Sequence, residues 1–258
     1  MFKNLYNYRE LLKTNVRKDI RGKYKASFLG ILWSFLNPLL MILVYAIVFP
    51  HLFGNTADNY IVYLATGIVP WMFFQGTVNA GTTSIKGNAG ILKKVYFPRE
   101  IFPISVMLSG LVNFFISSII ILVFCAYYHI GFSWHIIFVP FLAIILGILA
   151  EGIALAFSAI NVYVQDLEYI INFVLNLGFY GTPIIYTLNQ FGGNAGMLSK
   201  LIQLNPLTTL MNGFRDAFIY HKVPDLVGTG IVFLLSIVVF AIGYAIFKKL
   251  EKGFAEEL

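Results

Sequence analysis

Glu151 stands nearly alone as a formal charge inside six stretches of membrane-length hydrophobic sequence, and that distribution constrains the fold more than any motif does. The stretches run approximately over 29–53, 60–84, 101–128, 136–162, 169–186 and 226–247. A bilayer core of ~30 Å is crossed by about 20 helical residues rising ~1.5 Å each. A soluble domain of 258 residues cannot cover so much apolar surface. With 59% hydrophobic and 12% charged residues, the chain carries about half the charge usual in soluble domains. The expected fold is an all-α polytopic membrane protein, one domain over 1–258. It divides into an interfacial helix over 1–28, a six-span core over 29–247 and a tail over 248–258.

The eighteen Lys and Arg set the threading through the positive-inside bias. Lys3, Arg9, Lys13, Arg17, Lys18, Arg21, Lys23 and Lys25 precede the first span. Lys86, Lys93, Lys94 and Arg99 lie between spans two and three, and Lys248, Lys249 and Lys252 follow the last. Only Lys200, Arg215 and Lys222 then fall outside, so both termini are expected in the cytoplasm and the protein in the plasma (inner) membrane. The net charge of +6 follows from topology and contact with anionic lipid, and it gives no support for nucleic-acid binding. Residues 1–25 are basic and lack the apolar core of a cleavable signal, so the first span is expected to act as the insertion signal.

Two connections are long. The loop over 85–100 has room for a small helix from Ala89 to Val95, stopped by Pro98. The segment over 187–225 opens with Gly192, Gly193 and Gly196 and continues as two short amphipathic stretches, about Met197–Gln203 and Pro206–Tyr220. Helices too short to cross fit either a re-entrant gate over a pore or a plain surface cap.

The sequence offers no catalytic constellation. It has no Gly-x-x-x-x-Gly-Lys-Ser/Thr pattern, no nucleophile elbow and no acidic pair suited to sugar-nucleotide chemistry, and its four histidines are scattered. Cys125, the one cysteine, reads as a small buried apolar residue. Glu151 lies in the small-residue run over 147–152, where helices approach closely. It reads either as a cavity-facing or structural carboxylate hydrogen-bonded to a neighbouring span, or as a group on the transport path. A proton-coupled transporter would carry more such groups, so any pore here is expected to be energised from outside the chain.

Specific residues then carry a resemblance. Span one opens Arg21-Gly-Lys-Tyr-Lys-Ala-Ser-Phe-Leu-Gly-Ile-Leu-Trp33-Ser-Phe-Leu-Asn37-Pro38, and span two holds Gly67-Ile-Val-Pro70-Trp71. Lys93-Lys-Val-Tyr-Phe-Pro98-Arg99, Asn161 with Asp166-Leu167, Thr182-Pro183-Ile-Ile-Tyr186 and Asn205-Pro206-Leu207 follow in order. Together they resemble the permease subunit of type-2 ABC exporters for cell-surface polysaccharide, O-antigen and teichoic acid (the Wzm/TagG-like family), over essentially the whole chain. Where that family commonly has Arg before the Asp-Leu of the second cytoplasmic loop, this chain has Gln165.

The resemblance implies a homodimer bound to two copies of a separate cytoplasmic ATPase, which holds ATP and Mg; no cofactor is expected in this chain and no enzymatic activity of its own. The substrate would be an undecaprenyl-pyrophosphate-linked polymer. Lys13, Arg17, Lys18 and Arg21 sit beside a helical stripe of Leu5, Tyr8, Leu12 and Val16, where they suit a lipid pyrophosphate or ordinary anionic lipid. Aromatic rings give a slippery wall for sugars, and spans one and five supply Trp33, Tyr45, Phe49, Phe173, Phe179, Tyr180 and Tyr186 as channel candidates or lipid-belt residues. Ala89, Gly90, Ile91, Leu92, Lys93, Lys94 and Val95, with Arg99, resemble the coupling helix that meets the ATPase, though a solvated basic turn is the alternative. Asp166 is expected to cap span five. Gly178, Gly181 and Pro183 suggest that this span bends, as a gate hinge or for static packing. A small-molecule ABC export permease and a non-transporting membrane scaffold are the competing readings.

Overall fold

The computed structural model describes residues 2–24, 28–53, 58–93, 97–187 and 196–257. Among these the regular structure is helical. In chain order, α1 (Phe2–Asn7) and α2 (Arg9–Tyr24) lead into α3 (Trp33–Phe53), α4 (Tyr60–Gly87) and α5 (Ala89–Leu92). Then come α6 (Ile101–Tyr127), α7 (Phe138–Tyr163), α8 (Leu167–Tyr180), α9 (Met197–Leu204) and α10 (Pro206–Arg215). A π-helical turn over Asp216–Tyr220 joins α10 to α11 (Leu226–Leu250), and α12 (Phe254–Glu257) ends the chain. Lys94 and Val95 of the expected coupling helix, and Gly192 and Gly193 of the glycine cluster, lie outside the described residues.

Five of these segments are long and apolar enough to cross a membrane: 33–51, 60–87, 101–127, 134–163 and 226–253. The stretch expected as the fifth of six spans, 169–186, differs. Its helix α8 has 14 residues, roughly 21 Å, and the backbone then leaves the helix over 181–186. Pro183 has no N–H to continue the ladder, and side chains from other helices take up the freed carbonyls. Asp166 stands at the start of α8, but its side chain makes no capping bond. With φ −81° and ψ −5° its backbone is already helical, whereas a cap needs an extended residue.

The centre is a three-helix stack, α4 on α7 on α11, built from residues too small to hold the backbones apart. A Cβ added to Gly81 of α4 would come within 2.6 Å of the Ala154 Cβ on α7. On the opposite face of α7, a Cβ on Gly152 would lie 2.6 Å from the Phe240 backbone N of α11, and one on Gly243 would overlap the Gly152 carbonyl. The small residues around Glu151 therefore do bring helices together, as their run in the sequence suggests.

Helix ends follow local chemistry. The Asn205 side chain accepts the Leu207 N–H at 3.0 Å ahead of α10, with Pro206 in the first turn. Asp225 does the same for Val227 at 3.1 Å, and Lys248 and Lys249 occupy the last turn of α11, where cations complement the dipole. The end of the bundle that carries α2, α5 and the C-terminus is called the basic end below. There a second apolar cluster seats α12, with Phe254 against Phe247 and beneath the Arg99 guanidinium.

Candidate functional site

Polar side chains in an apolar helix pair mark where the pair cannot face lipid. On α4 and α8 four amides form such a ladder. The Trp71 indole N–H donates to Gln75 Oε1 at 3.0 Å, Gln75 Nε2 donates to Asn176 Oδ1 at 3.2 Å, and Asn79 Nδ2 donates to Asn172 Oδ1 at 2.8 Å. Positions 75 and 79, and 172 and 176, are each four apart and so share a helix face. Asn79 lies eight residues before the end of α4, roughly 12 Å in, and Gln75 roughly 18 Å in. Asn172 and Asn176 are nevertheless exposed on the isolated chain. An amide with free hydrogen-bonding groups in hydrocarbon costs about 2–7 kcal/mol, so this face is suited to water, substrate or another protein. Sequence reasoning missed all four amides.

The aromatic candidates divide at this ladder. Tyr45 of α3 stacks on Phe179 of α8 with centroids 5.7 Å apart, Phe49 meets Tyr45 edge-on at 5.3 Å, and Phe179 also meets Trp71 and Tyr180. Tyr45, Phe49, Phe179 and Tyr180 thus form one cluster across α3 and α8, with Trp71 as the member not expected. Within it Phe179 is buried and Tyr180 exposed. Phe173 stands exposed on α8, and Trp33 lies apart at the basic end of α3. Tyr186 is buried, its hydroxyl donating to the Tyr180 carbonyl at 2.9 Å.

Gly178, Gly181 and Pro183 belong to a clamped segment. Gly178 is small because Trp71 packs there: a Cβ would meet the indole at 3.2 Å. Beyond the helix end, Tyr60 donates to the Ile185 carbonyl at 2.6 Å and Tyr63 to the Tyr186 carbonyl at 2.8 Å. Asn205 Nδ2 reaches the Gly181 carbonyl at 3.2 Å. Arg215, one of the three cations assigned to the outer side, is 2% exposed; its Nη2 donates to the Pro183 carbonyl and its guanidinium lies 3.6 Å from the Tyr63 ring centroid. Backbone carbonyls and an aromatic face, rather than a carboxylate, hold this buried charge.

The four cations of the N-terminal helix separate into two groups. Lys13, Arg17 and Arg21, four residues apart, border an apolar groove of about 560 Å³ between α2 and α6, floored by Val16, Ile20, Leu108 and Leu111. Lys18 points to the other side and donates to Asn88 Oδ1 at 3.1 Å, at the joint between α4 and α5. Lys13 also bonds Glu10 at 3.0 Å, and this bond and its charge hold the Glu10 carboxyl below the usual carboxylate range.

At the basic end, α5 covers Ala89, Gly90, Ile91 and Leu92; Gly90, Ile91 and Lys93 are exposed. Arg99 turns inward and donates to the Glu251 carbonyl. The buried Glu100 carboxylate is met by Lys248 at 2.9 Å, which also bonds Glu251. Glu151 is 1% exposed, and neither carboxyl oxygen has a hydrogen-bond partner among the described residues, so the bond expected to a neighbouring span is not made.

Residues 10–219 match the family described as ABC-2 type transporter. The chain is 31% identical over its full length to the O-antigen export system permease protein RfbA of Myxococcus xanthus, covering 99% of that protein. It is 35% identical over 257 residues to an O-antigen export system permease protein RfbA of Klebsiella pneumoniae, covering 96% of this chain and 95% of that one. The polysialic acid transport protein KpsM of Escherichia coli is 21% identical over 92% of each chain.

Proposed function

The chain belongs to the ABC-2 type transporter family, and from that premise we propose that it is the membrane permease of an ATP-driven exporter for an O-antigen-type polysaccharide. Relatives named for O-antigen export match it along nearly their whole length, which supports the polymer class. In this reading two copies enclose the path, and a separate ATPase docks at the basic end, which faces the cytoplasm of the inner membrane. The polymer arrives linked to undecaprenyl pyrophosphate. The chain passes the membrane six times, the fifth pass being α8 with the extended 181–186 segment. The pair α9 and α10 packs over its outer end as a gate.

One observation carries the reading: the amide ladder within the apolar helices α4 and α8, in which exposed Asn172 and Asn176 bond half-buried Asn79 and Gln75. A glycan needs neutral partners that exchange hydrogen bonds with its hydroxyls and with water, beside rings on which its C–H faces slide. The ladder and the rings of Tyr45 and Tyr180, backed by buried Phe179, offer both on adjoining surfaces. Lys13, Arg17 and Arg21 above the apolar groove suit a pyrophosphate with its prenyl chain alongside.

The test is surface polymer in a strain that depends on this chain. Asn172→Leu combined with Asn176→Leu is expected to leave the protein at normal abundance and to reduce surface polymer at least tenfold. Normal export from a well-expressed double variant contradicts the reading.

A further inference from the structure

On the side of α2 away from the Lys13–Arg17–Arg21 edge, a cavity of about 680 Å³ lies between α2, the first turns of α3, α4 and α6. Along α6 it extends from Val106 to Ser117, roughly 16 Å of helix running from the basic end toward mid-membrane. Its volume falls in the range of about 300–1,000 Å³ typical of small-ligand sites. The export path above leaves it unused.

Its lining sorts by depth. The charges, Lys18 and Asp19, are at the mouth on α2. Deeper in, the polar groups are neutral. The Ser34 hydroxyl donates to Asn113 Oδ1 at 2.7 Å, and the Ser117 hydroxyl to the Ser34 carbonyl at 2.9 Å. Thr77 is 1% exposed, and its hydroxyl has no hydrogen-bond partner among the described residues. That hydroxyl faces Gly110, another wall residue, whose added Cβ would meet it at 3.0 Å. Gly76 is also in the wall, and a Cβ there would touch nothing within 4 Å.

Neutral hydroxyls and amides between ring faces, here Trp33 and Phe73, suit a polyol whose hydroxyls both donate and accept. A cation at the mouth suits a phosphate. Lys18 gives one N–H to Asn88 and has further donors to offer phosphate oxygens. Asp19 at the mouth accepts from the Ser105 hydroxyl at 3.1 Å, which ties α2 to α6 beside Lys18. We propose that this cavity holds the head of a lipid carrying a phosphate-linked polyol, with the phosphate at Lys18 and the polyol reaching Thr77, Ser34 and Asn113. Two lipids share that chemistry: a sugar-bearing polyprenyl phosphate, which rests on the export reading, and phosphatidylglycerol of the surrounding bilayer. Through Asn88 an occupied mouth adjoins the joint between α4 and α5.

The test uses the full-length chain in phosphatidylcholine nanodiscs, with tritiated farnesyl phosphate glucose as probe. Wild type is expected to bind it saturably. Gly76→Leu, which fills the cavity, is expected to weaken binding at least tenfold, and Gly76→Ala less than twofold. Thr77→Val removes a hydroxyl that no described residue bonds, so it should leave folding unchanged while weakening binding about fivefold. It keeps the test decisive if the leucine variant does not fold. Unglycosylated farnesyl phosphate should bind wild type and Thr77→Val alike, since the outer edge of α2 remains for it. Displacement of the probe by phosphatidylglycerol at equal concentration assigns the site to bilayer lipid; displacement only at large excess assigns it to the sugar carrier. Either supports the polyol-phosphate site. Wild-type affinity in folded Thr77→Val and Gly76→Leu, or equal loss of the unglycosylated probe, overturns it. If only this site fails, surface polymer still depends on the chain while the probe does not bind; if only the export reading fails, the probe binds while surface polymer does not depend on the chain.

Discussion

Helices α3 and α4 are both long and apolar enough to cross a membrane, yet 78% of the apolar window of α4 is buried within the chain and only 17% of that of α3. In the proposed reading the difference separates a scaffold from a working surface. α4, α7 and α11 touch backbone to backbone through Gly81, Gly152 and Gly243, so they have little freedom to shift. α3 and α8 are held from one side and present their other faces outward, and the aromatic cluster and amide ladder lie where they meet α4. An exporter needs both parts: a fixed block to transmit force and a looser wall to line or open a path.

The largest expected effect breaks the scaffold. Gly243→Val drives a side chain into the Gly152 carbonyl, a backbone atom that cannot rotate away. Overpacking costs about 1–3 kcal/mol where side chains can yield and more where only backbone can. Thermal unfolding in detergent, followed by size-exclusion chromatography, should show little folded protein; a wild-type midpoint would mean that α7 and α11 are not in this contact. Next comes the clamp on 181–186. Arg215→Met should cost about 1–3 kcal/mol or more by stranding the Pro183 and Ile184 carbonyls. A smaller loss would show that the segment finds other donors, and that it is looser than its hydrogen bonds imply.

The smallest effect on stability belongs to the working surface. Phe173 is exposed, so Phe173→Ala should shift the unfolding midpoint by less than about 0.5 kcal/mol, as surface changes usually do. Its effect on export should exceed its effect on stability. A large stability loss in the assembled protein with normal export would place Phe173 in packing between copies.

The long apolar helices of the scaffold were legible because hydrophobic length is a property of sequence windows. The short helices at 197–204 and 206–215 were legible as two short amphipathic stretches, the second expected to run on to Tyr220. The fifth stretch was not, because it stays apolar through Tyr186 while its backbone leaves the helix at Gly181. The groups that make this affordable, Tyr60, Tyr63 and Arg215, lie more than 100 or about 30 positions away, beyond any local window. The amide ladder was missed because each amide looks like an isolated polar residue in an apolar run; the four-residue spacing within 75/79 and 172/176 was the available signal. Helix geometry also separates Lys13, Arg17 and Arg21 from Lys18, which sits about 100° around the helix from Arg17. Grouping all four by charge alone hid two different surfaces.

Because Cys125 is the one cysteine in the sequence and is buried, Asn176→Cys in a Cys125→Ser background gives a single reporter on the amide ladder. The measurement is its labelling in cells by a charged, membrane-impermeant thiol reagent, compared with a lipophilic maleimide. A hydrated path along α8 and α4 is expected to let the charged reagent react, with protection when polymer fills the path. Reaction with the lipophilic reagent alone would put this face against lipid and contradict the account.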